Sequence, residues 1–312
     1  MGVVIWLIER LMKKRTVTGQ LGIELGPEGI AVAHINSSES GPPVLQSCRF
    51  LPREENESPP LAQYIDELGL KGIACNVVLP NSSYSLLLTE APEVDDDELV
   101  DAMRWRISDL IDFPVEDAVL DVFRLPEDAH RGNVPMVYVV ASKSSLIHEI
   151  LALLKPTGVQ LESIGIIELA LRNLSLLCPE DPQGLAMVQL SPGSGNLNVI
   201  KQQQLYLSRR FDLDFNGGLL DPLPTNSLVL ELQRSLDYYE RQMGQVPPSS
   251  IYLCGEGVSS DKVTADAQAS LTAELKVFPL GELITLPEGC DELMLTNCIG
   301  AIGGALSAEN LA

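Results

Sequence analysis

The sequence predicts a two-lobed α/β protein with a small α+β subdomain inserted in its first lobe, and three observations carry that reading. The first is a duplication: Leu185 to Phe211 reads as three short strands joined by tight turns, and Leu21 to Asn36 is its earlier partner. In both, a few apolar residues run into a Gly/Pro-containing turn, Gly26-Pro27-Glu28-Gly29 and Ser191-Pro192-Gly193-Ser194-Gly195, and an alternating apolar run follows at once. The second is that each hairpin leads into further strand-like and helix-like segments, enough for one α/β lobe apiece. The third is a change of character at Asn81, after which a strand, a helix, two strands and a helix precede the second hairpin. The resulting division is a basic amphipathic segment at 1–18, a first lobe at 19–80, an inserted subdomain at 81–160, a return to the first lobe at 161–184, and a second lobe at 185–312. Turns that aim backbone N–H groups at one place cradle anions, so two facing copies predict a phosphate clamp between the lobes.

Taken in order, the first fifteen residues, MGVVIWLIERLMKKR, put Val4, Ile5, Ile8, Leu11 and Met12 on one helical face and cluster Arg10, Lys13, Lys14 and Arg15 at the end. Such a segment suits a membrane interface, with Trp6 at headgroup level and Lys13, Lys14 and Arg15 as membrane contacts; the alternatives are a helix docked on its own domain or a disordered tail. Its charges follow its apolar run, the wrong order for a secretory signal. After the first hairpin come a strand within Gly41 to Phe50, a polar loop, a short helix from Leu61 to Leu68 and a buried strand, Gly72 to Leu79. Tyr84 to Leu88 is the next strand. Val94 to Glu98 then loads carboxylates onto a helix start, where they favour the macrodipole. That helix lines Leu99, Met103, Ile107, Leu110 and Ile111 along one side and ends at Pro114. The helical angle places Trp105 on the opposite side, among Asp101, Ser108 and Asp112. A large aromatic there needs a cover, either a neighbouring subdomain or a bound partner.

Val119 to Leu125 and Val134 to Ala141 follow as strands, Leu146 to Leu154 as a helix and Gln160 to Ile167 as a returning strand. In the second lobe the hairpin leads to a long helix, Ser227 to Met243, then to a buried strand, Ser250 to Cys254, that ends at Gly255-Glu256-Gly257. Asp261 to Leu275 reads as helical and Val277-Phe278 as a short strand. The closing Cys298 to Leu306 is a small-residue helix suited to close packing.

Length and composition bound the function. A chain of 312 residues with 45 % hydrophobic content has room for two lobes with cores. Its 21 basic and 43 acidic residues leave a net charge of −22, which repels nucleic acid and argues against a nucleic-acid role. Six cysteines without a C-x-x-C pair, with Cys75, Cys254 and Cys298 in apolar surroundings, fit a reducing compartment rather than a disulfide frame. His34, His130 and His148 lie in no ligand-like spacing, so no metal site is expected.

Two lobes each begun by a phosphate-type hairpin resemble the actin-like ATPase superfamily, and the finer blocks resemble its pilus-assembly branch typified by PilM, of the MSHA pilus biogenesis kind. Those blocks are Gly22-Ile23-Glu24-Leu25-Gly26, Trp105 through Glu116 (WRISDLIDFPVE), Val139-Val140-Ala141-Ser142-Lys143, Arg234 through Tyr239 (RSLDYY), Leu253-Cys254-Gly255-Glu256-Gly257 and Ile299-Gly300-Ala301. The resemblance implies a cytoplasmic protein peripheral to the inner membrane. It would bind the cytoplasmic tail of a bitopic PilN-like partner in a groove between the first lobe and the inserted subdomain. The pilus-assembly ATPase and the membrane surface are further candidate partners, and Trp105, Asp101, Ser108 and Asp112 are the candidate partner-binding residues.

Actin-like sites hold Mg²⁺ through an acidic residue in each hairpin, because magnesium needs hard oxygen ligands. Aligned on the family pattern G-I-D-I-G-S-S-S-V-K, this chain has Glu24 for the Asp, Pro27 and Glu28 for two serines and Ala31 for the Lys; the second hairpin reads Gln189-Leu190-Ser191 where the family has D-I-G. Proline removes an N–H donor and Glu28 brings a negative charge to a phosphate position. The expectation is a pseudo-ATPase that requires no cofactor, with at best weak ATP or ADP binding by a vestigial set, Gly26, Ser191, Gly193, Gly195, Gly255 and Gly257. The leading reading is therefore a non-catalytic scaffold or adaptor of type IV pilus assembly. The alternatives are the cytoplasmic domain of a type II secretion system resembling GspL, which continues into a membrane span where this chain ends at Ala312, and an active sugar-kinase-like or actin-like ATPase.

Overall fold

The hairpin duplication becomes two five-stranded sheets of the same strand order. In the computed structural model, which describes residues 18–36, 41–53, 60–132, 134–218, 221–263 and 265–306, the first sheet comprises β1 (Gln20–Leu25), β2 (Gly29–Asn36), β3 (Val44–Pro52), β4 (Ala74–Leu79) and β8 (Gln160–Ile166), ordered β3-β2-β1-β4-β8. The second comprises β9 (Leu185–Ser191), β10 (Ser194–Lys201), β11 (Gln204–Asp212), β12 (Ser250–Gly255) and β13 (Glu274–Val277), ordered β11-β10-β9-β12-β13. In each, the first three strands form an antiparallel meander and the last two run parallel to the first. Helices α1 (Leu61–Glu67) and α5 (Thr225–Arg241) occupy equivalent crossovers.

The lobes differ between their fourth and fifth strands. There the first lobe carries β5 (Tyr84–Glu90), α2 (Leu99–Arg106), β6 (Ala118–Arg124), β7 (Met136–Lys143) and α3 (Ser144–Leu154), whose strands pair antiparallel in the order β5-β7-β6. The two-residue period of β7 gives that sheet two distinct faces. Val137, Val139 and Ala141 pack with Leu99, Met103 and Ile107 of the α2 region, while Tyr138 turns the other way, into the main core.

Period-two alternation also orients β1. Leu21 and Ile23 enter the core beneath α1 and α3, whereas Gly22 and Glu24 face α7 (Ile299–Ala305), which follows α6 (Glu292–Asn297). This corrects the division read from sequence, which gave the closing helix to the second lobe. Helix α7 packs on β1, β2 and β4 of the first sheet and on α4 (Ile167–Ser175). The cause is steric: a Cβ at Gly22 would fall 1.8 Å from the Ala301 carbonyl oxygen, and one at Gly303 2.4 Å from that of Ala170. Only glycine lets these backbones approach so closely.

Two boundaries also differ from the sequence reading. Helix α2 stops at Arg106 and turns follow, so Leu110, placed by helical angle on the apolar side, is 58 % exposed. The segment read as helical from Asp261 to Leu275 is α-helical only at Ala265–Ala269, after a 3-10 turn at Ser260–Lys262, and Glu274 to Val277 pairs with β12 as strand β13. The segment bearing Trp6, Lys13, Lys14 and Arg15 lies outside the described residues. Among the described residues no helix is long and apolar enough to cross a membrane.

Polar contacts tie the lobes together. Glu168, at the start of α4, is wholly buried and accepts hydrogen bonds from Asn196 (3.1 Å) and Arg210 (3.1 Å) of the second lobe, and one from Tyr84. Arg210 donates a further bond to the Asn81 carbonyl at 2.6 Å and stacks over the Tyr84 ring. Beside it, Tyr206 and Lys201 donate to Asp128 of the inserted subdomain, and Ser208 N–H donates to the Tyr138 hydroxyl.

Candidate functional site

Two concave regions and one exposed surface hold the residues that sequence reasoning singled out. The first region is the cleft between the paired hairpins, about 290 Å³, lined by Glu24, Gly26, Glu28, Gln189, Ser191 and Glu256 among others. The hairpins do face one another, as the duplication predicts. Two of the amides that were to cradle phosphate, however, are spent within the fold. Gly26 N–H donates to the Gly29 carbonyl and Gly193 N–H to that of Phe215, each at 2.8 Å. Gly195 is packed against the Phe211 ring, and Gly257 against the backbone of Gly217 and Gly218. Of the six vestigial candidates, Gly26, Ser191 and Gly255 line the cleft; Gly193, Gly195 and Gly257 do not, which corrects their assignment to it.

The cleft's charge also opposes a nucleotide. Glu24, Glu28 and Glu256 line it and, among the described residues, no Lys or Arg does, so a polyphosphate would enter a field of its own sign. Glu24 does not stand free as a metal ligand would: its carboxylate accepts hydrogen bonds from the N–H groups of Gly300 and Ala301, at the start of α7. Burial pushes this carboxyl up to about 7, reinforced by the charge of Glu256 and opposed by those amides. Burial, with the charge of Glu28, likewise raises the Glu256 carboxyl above its ordinary value. Ala31, aligned with the family's lysine, is a buried β2 residue. Among the described residues no group of three His, Cys, Asp or Glu side chains could hold a metal ion. Sequence reasoning had quoted Glu256 only within a glycine motif, and its place opposite Glu28 depends on how the two lobes meet.

The second region is a groove of about 400 Å³ between the first lobe and the inserted subdomain. Its apolar lining comes from Val119 and Phe123 of β6, Val140 of β7, Ile147 of α3, Ile164 of β8 and Leu169 of α4. Strands β6 and β8 end their respective sheets, so each has an edge with no neighbouring strand among the described residues. Arg172 also lines the groove, and its guanidinium is held by the Asn173 side-chain carbonyl at 2.8 Å; burial depresses its basicity. None of these residues was singled out from sequence, although alternate residues of β6, Val119, Asp121 and Phe123, share one face and could have marked it.

The exposed surface belongs to α2 and the turns that follow it. Trp105 is 77 % exposed, so the neighbouring subdomain expected to cover it does not. Asp101 and Asp112 are exposed as well, and the Ser108 hydroxyl donates to the Trp105 carbonyl at 3.0 Å. Because α2 packs on the Val137/Val139/Ala141 face of its sheet and the groove opens beside Val140 and Ser142 on the other, Asp101, Trp105, Ser108 and Asp112 do not line the groove. That separates the two features the sequence reading had joined.

Duplicated five-stranded sheets around a cleft, with a subdomain inserted in the first lobe, define the two-lobed actin-like α/β fold. Solved structures bear this out over nearly the whole chain. A PilM–PilN type IV pilus biogenesis complex matches with a TM-score of 0.69 at 20 % identity, over 95 % of this chain and 99 % of that one. The cytoplasmic domain of EpsL, an inner-membrane component of the type II secretion system of Vibrio cholerae, matches with a TM-score of 0.53 at 13 % identity, over 94 % and 98 %. A Bacteroides thetaiotaomicron protein with an actin-like ATPase fold and unknown function matches with a TM-score of 0.50 at 9 % identity, over 84 % and 92 %. No protein-family model matches the chain, and no curated protein is similar to it in sequence.

Proposed function

We propose that this protein is a non-catalytic scaffold of type IV pilus assembly, of the MSHA kind that its sequence blocks resemble, and that it holds the cytoplasmic peptide of a PilN-like inner-membrane protein. One observation carries the reading: the groove between the first lobe and the inserted subdomain is apolar and flanked by two terminal strands. An extended peptide would pair its backbone with such an edge and seat alternate apolar side chains in the groove. The similarity to a PilM–PilN complex supports a PilN-like occupant. Pseudo-ATPase character is supported by the acidic cleft, the spent Gly26 and Gly193 amides and Gln189 in place of a metal-holding acid.

The test is fluorescence polarisation with a labelled N-terminal peptide of the PilN-like protein from the same bacterium. Phe123→Asp should weaken binding at least tenfold by placing a charge in the apolar lining. Trp105→Ala, on the other face of the sheet, should leave it unchanged. Equal binding by wild type and Phe123→Asp would refute the groove. Steady ATP turnover with Mg²⁺, lost in a Gln189→Ala variant, would refute the non-catalytic assignment.

A further inference from the structure

Three of the six cysteines, far apart in sequence, converge at the seam between the lobes. Cys48 lies on β3, Cys290 in the turn before α6, and Cys298 between α6 and α7. The Cys48 and Cys290 sulfurs are 3.8 Å apart, and Cys48 is also hydrogen-bonded to Cys298. All are free thiols. We propose that Cys48 and Cys290 are a thiol oxidation site that peroxides convert to a disulfide, stapling the edge of the first lobe to the segment that leads into α6 and α7.

The geometry allows the bond. The backbones on either side are already in register, with Leu45 N–H donating to the Thr285 carbonyl and Thr285 N–H to the Pro43 carbonyl, both at 2.9 Å. A disulfide needs its sulfurs about 2 Å apart, so they must approach by less than the width of an atom. Gly289, in the left-handed region at φ +79° with open space around it, lets the turn adjust. Access comes from one side. Cys290 is half-buried and lines an open pocket of about 420 Å³, whereas Cys48 is 7 % exposed and Cys298 fully buried.

The three thiols have different parts. Hydrogen bonds from Cys298 and Cys290 draw the Cys48 thiol below the ordinary cysteine value, which makes it the readiest of the three to ionise. The Cys48 hydrogen bond and burial hold Cys298 protonated. The Cys48 thiolate attacks one peroxide oxygen, the O–O bond breaks, and the departing hydroxide takes a proton to become water; Cys48 is then a sulfenic acid. Cys290 attacks that sulfur and displaces the hydroxyl, which leaves as a second water with the Cys290 proton. Two thiols lose two electrons and hydrogen peroxide gains them. Because the pair closes a loop of 242 residues, the bridge should raise the unfolding midpoint by about 8 °C.

The test treats the purified full chain with hydrogen peroxide at pH 7.5 and maps the peptides without reduction. A Cys48–Cys290 crosslink, reversed by dithiothreitol, is expected. Cys290→Ser should instead accumulate a sulfenic acid on Cys48 that dimedone traps. Cys298→Ala should still form the bridge, with the pH midpoint of its rate shifted upward because Cys48 has lost a donor. A Cys48–Cys298 bridge, bridges only between molecules, or six intact thiols after an equimolar to tenfold excess of peroxide would each overturn the proposal.

Discussion

Glu24 shows how a phosphate-site residue can be redirected by its surroundings. In the actin-like pattern that the first hairpin resembles, this position is an aspartate that serves a metal; here the carboxylate is drawn to the Gly300 and Ala301 amides instead. Its identity was legible in the sequence, but its fate was not, because the helix that captures it comes near the end of the chain. Gly193 failed for a similar reason: the turn glycine was visible, but the carbonyl that consumes its amide is that of Phe215, beyond the third strand of the hairpin meander, and that pairing has no local signal. The raised Glu24 carboxyl has a stability consequence. The folded state holds its proton up to about pH 7 while the unfolded chain releases it near 4.5, so between those values the folded state binds more protons and stability falls as pH rises. The stabilising contribution is fully present below the unfolded value and lost above pH 7, a difference on the order of 3 kcal/mol. Glu24→Gln should therefore melt several degrees above wild type at pH 8 and close to it at pH 4, by thermal denaturation. A gap equal at both pH values would show that the carboxyl's burial is not the cause.

At the level of elements, the strands and their duplication were legible because a two-residue period and Gly/Pro turns are local signals. The lobe to which α7 belongs was not. A run of small residues announces close approach without naming what approaches. The partner is β1, where Gly22 opens the space, and the pairing is reciprocal: Gly304 of α7 stands 3.8 Å from Gly22 Cα, measured from where its Cβ would be, and Gly300 leaves room for the Glu24 carboxyl. Gly22→Ala would press a methyl into the Ala301 carbonyl, which backbone on both sides prevents from moving aside cheaply. The expected cost is about 2–3 kcal/mol, read as a lowered denaturation midpoint. Faster amide exchange at Ile302 and Leu306, whose N–H groups close the α7 turns, should accompany it. Gly69→Ala tests the alternative that any glycine replacement costs this much: no atom lies within 4 Å of its Cβ position, and only its left-handed φ of +66° is strained. It should leave the α7 amides untouched.

For the molecule as a whole, the question is whether the two lobes move. A nucleotide-driven protein needs them to, whereas a scaffold gains from holding its groove at constant width, because α4 lines that groove and also packs on β9, β10 and β11. Any rotation of the second lobe would carry α4 with it. The contacts that oppose rotation converge on Glu168, buried and served by Tyr84, Asn196 and Arg210, and on Asp128, which ties the inserted subdomain to Lys201 and Tyr206. Removing one partner of a buried ion pair leaves the other charge stranded, at a cost of about 3–5 kcal/mol where the pair is fully desolvated; the Arg210 side chain is 33 % exposed, so about 2–3 kcal/mol is expected here. Arg210→Met should therefore lower stability by that amount and loosen the seam, seen as faster exchange in α4 and a larger radius of gyration by X-ray scattering. It should also weaken the partner peptide several-fold, although Arg210 does not line the groove. Glu168→Gln, which keeps the hydrogen-bonding shape and leaves no stranded carboxylate, should cost less than Arg210→Met on all three readouts. If Arg210→Met lost stability but kept full peptide affinity and an unchanged radius, the network would be a local buried pair that does not set the angle between the lobes.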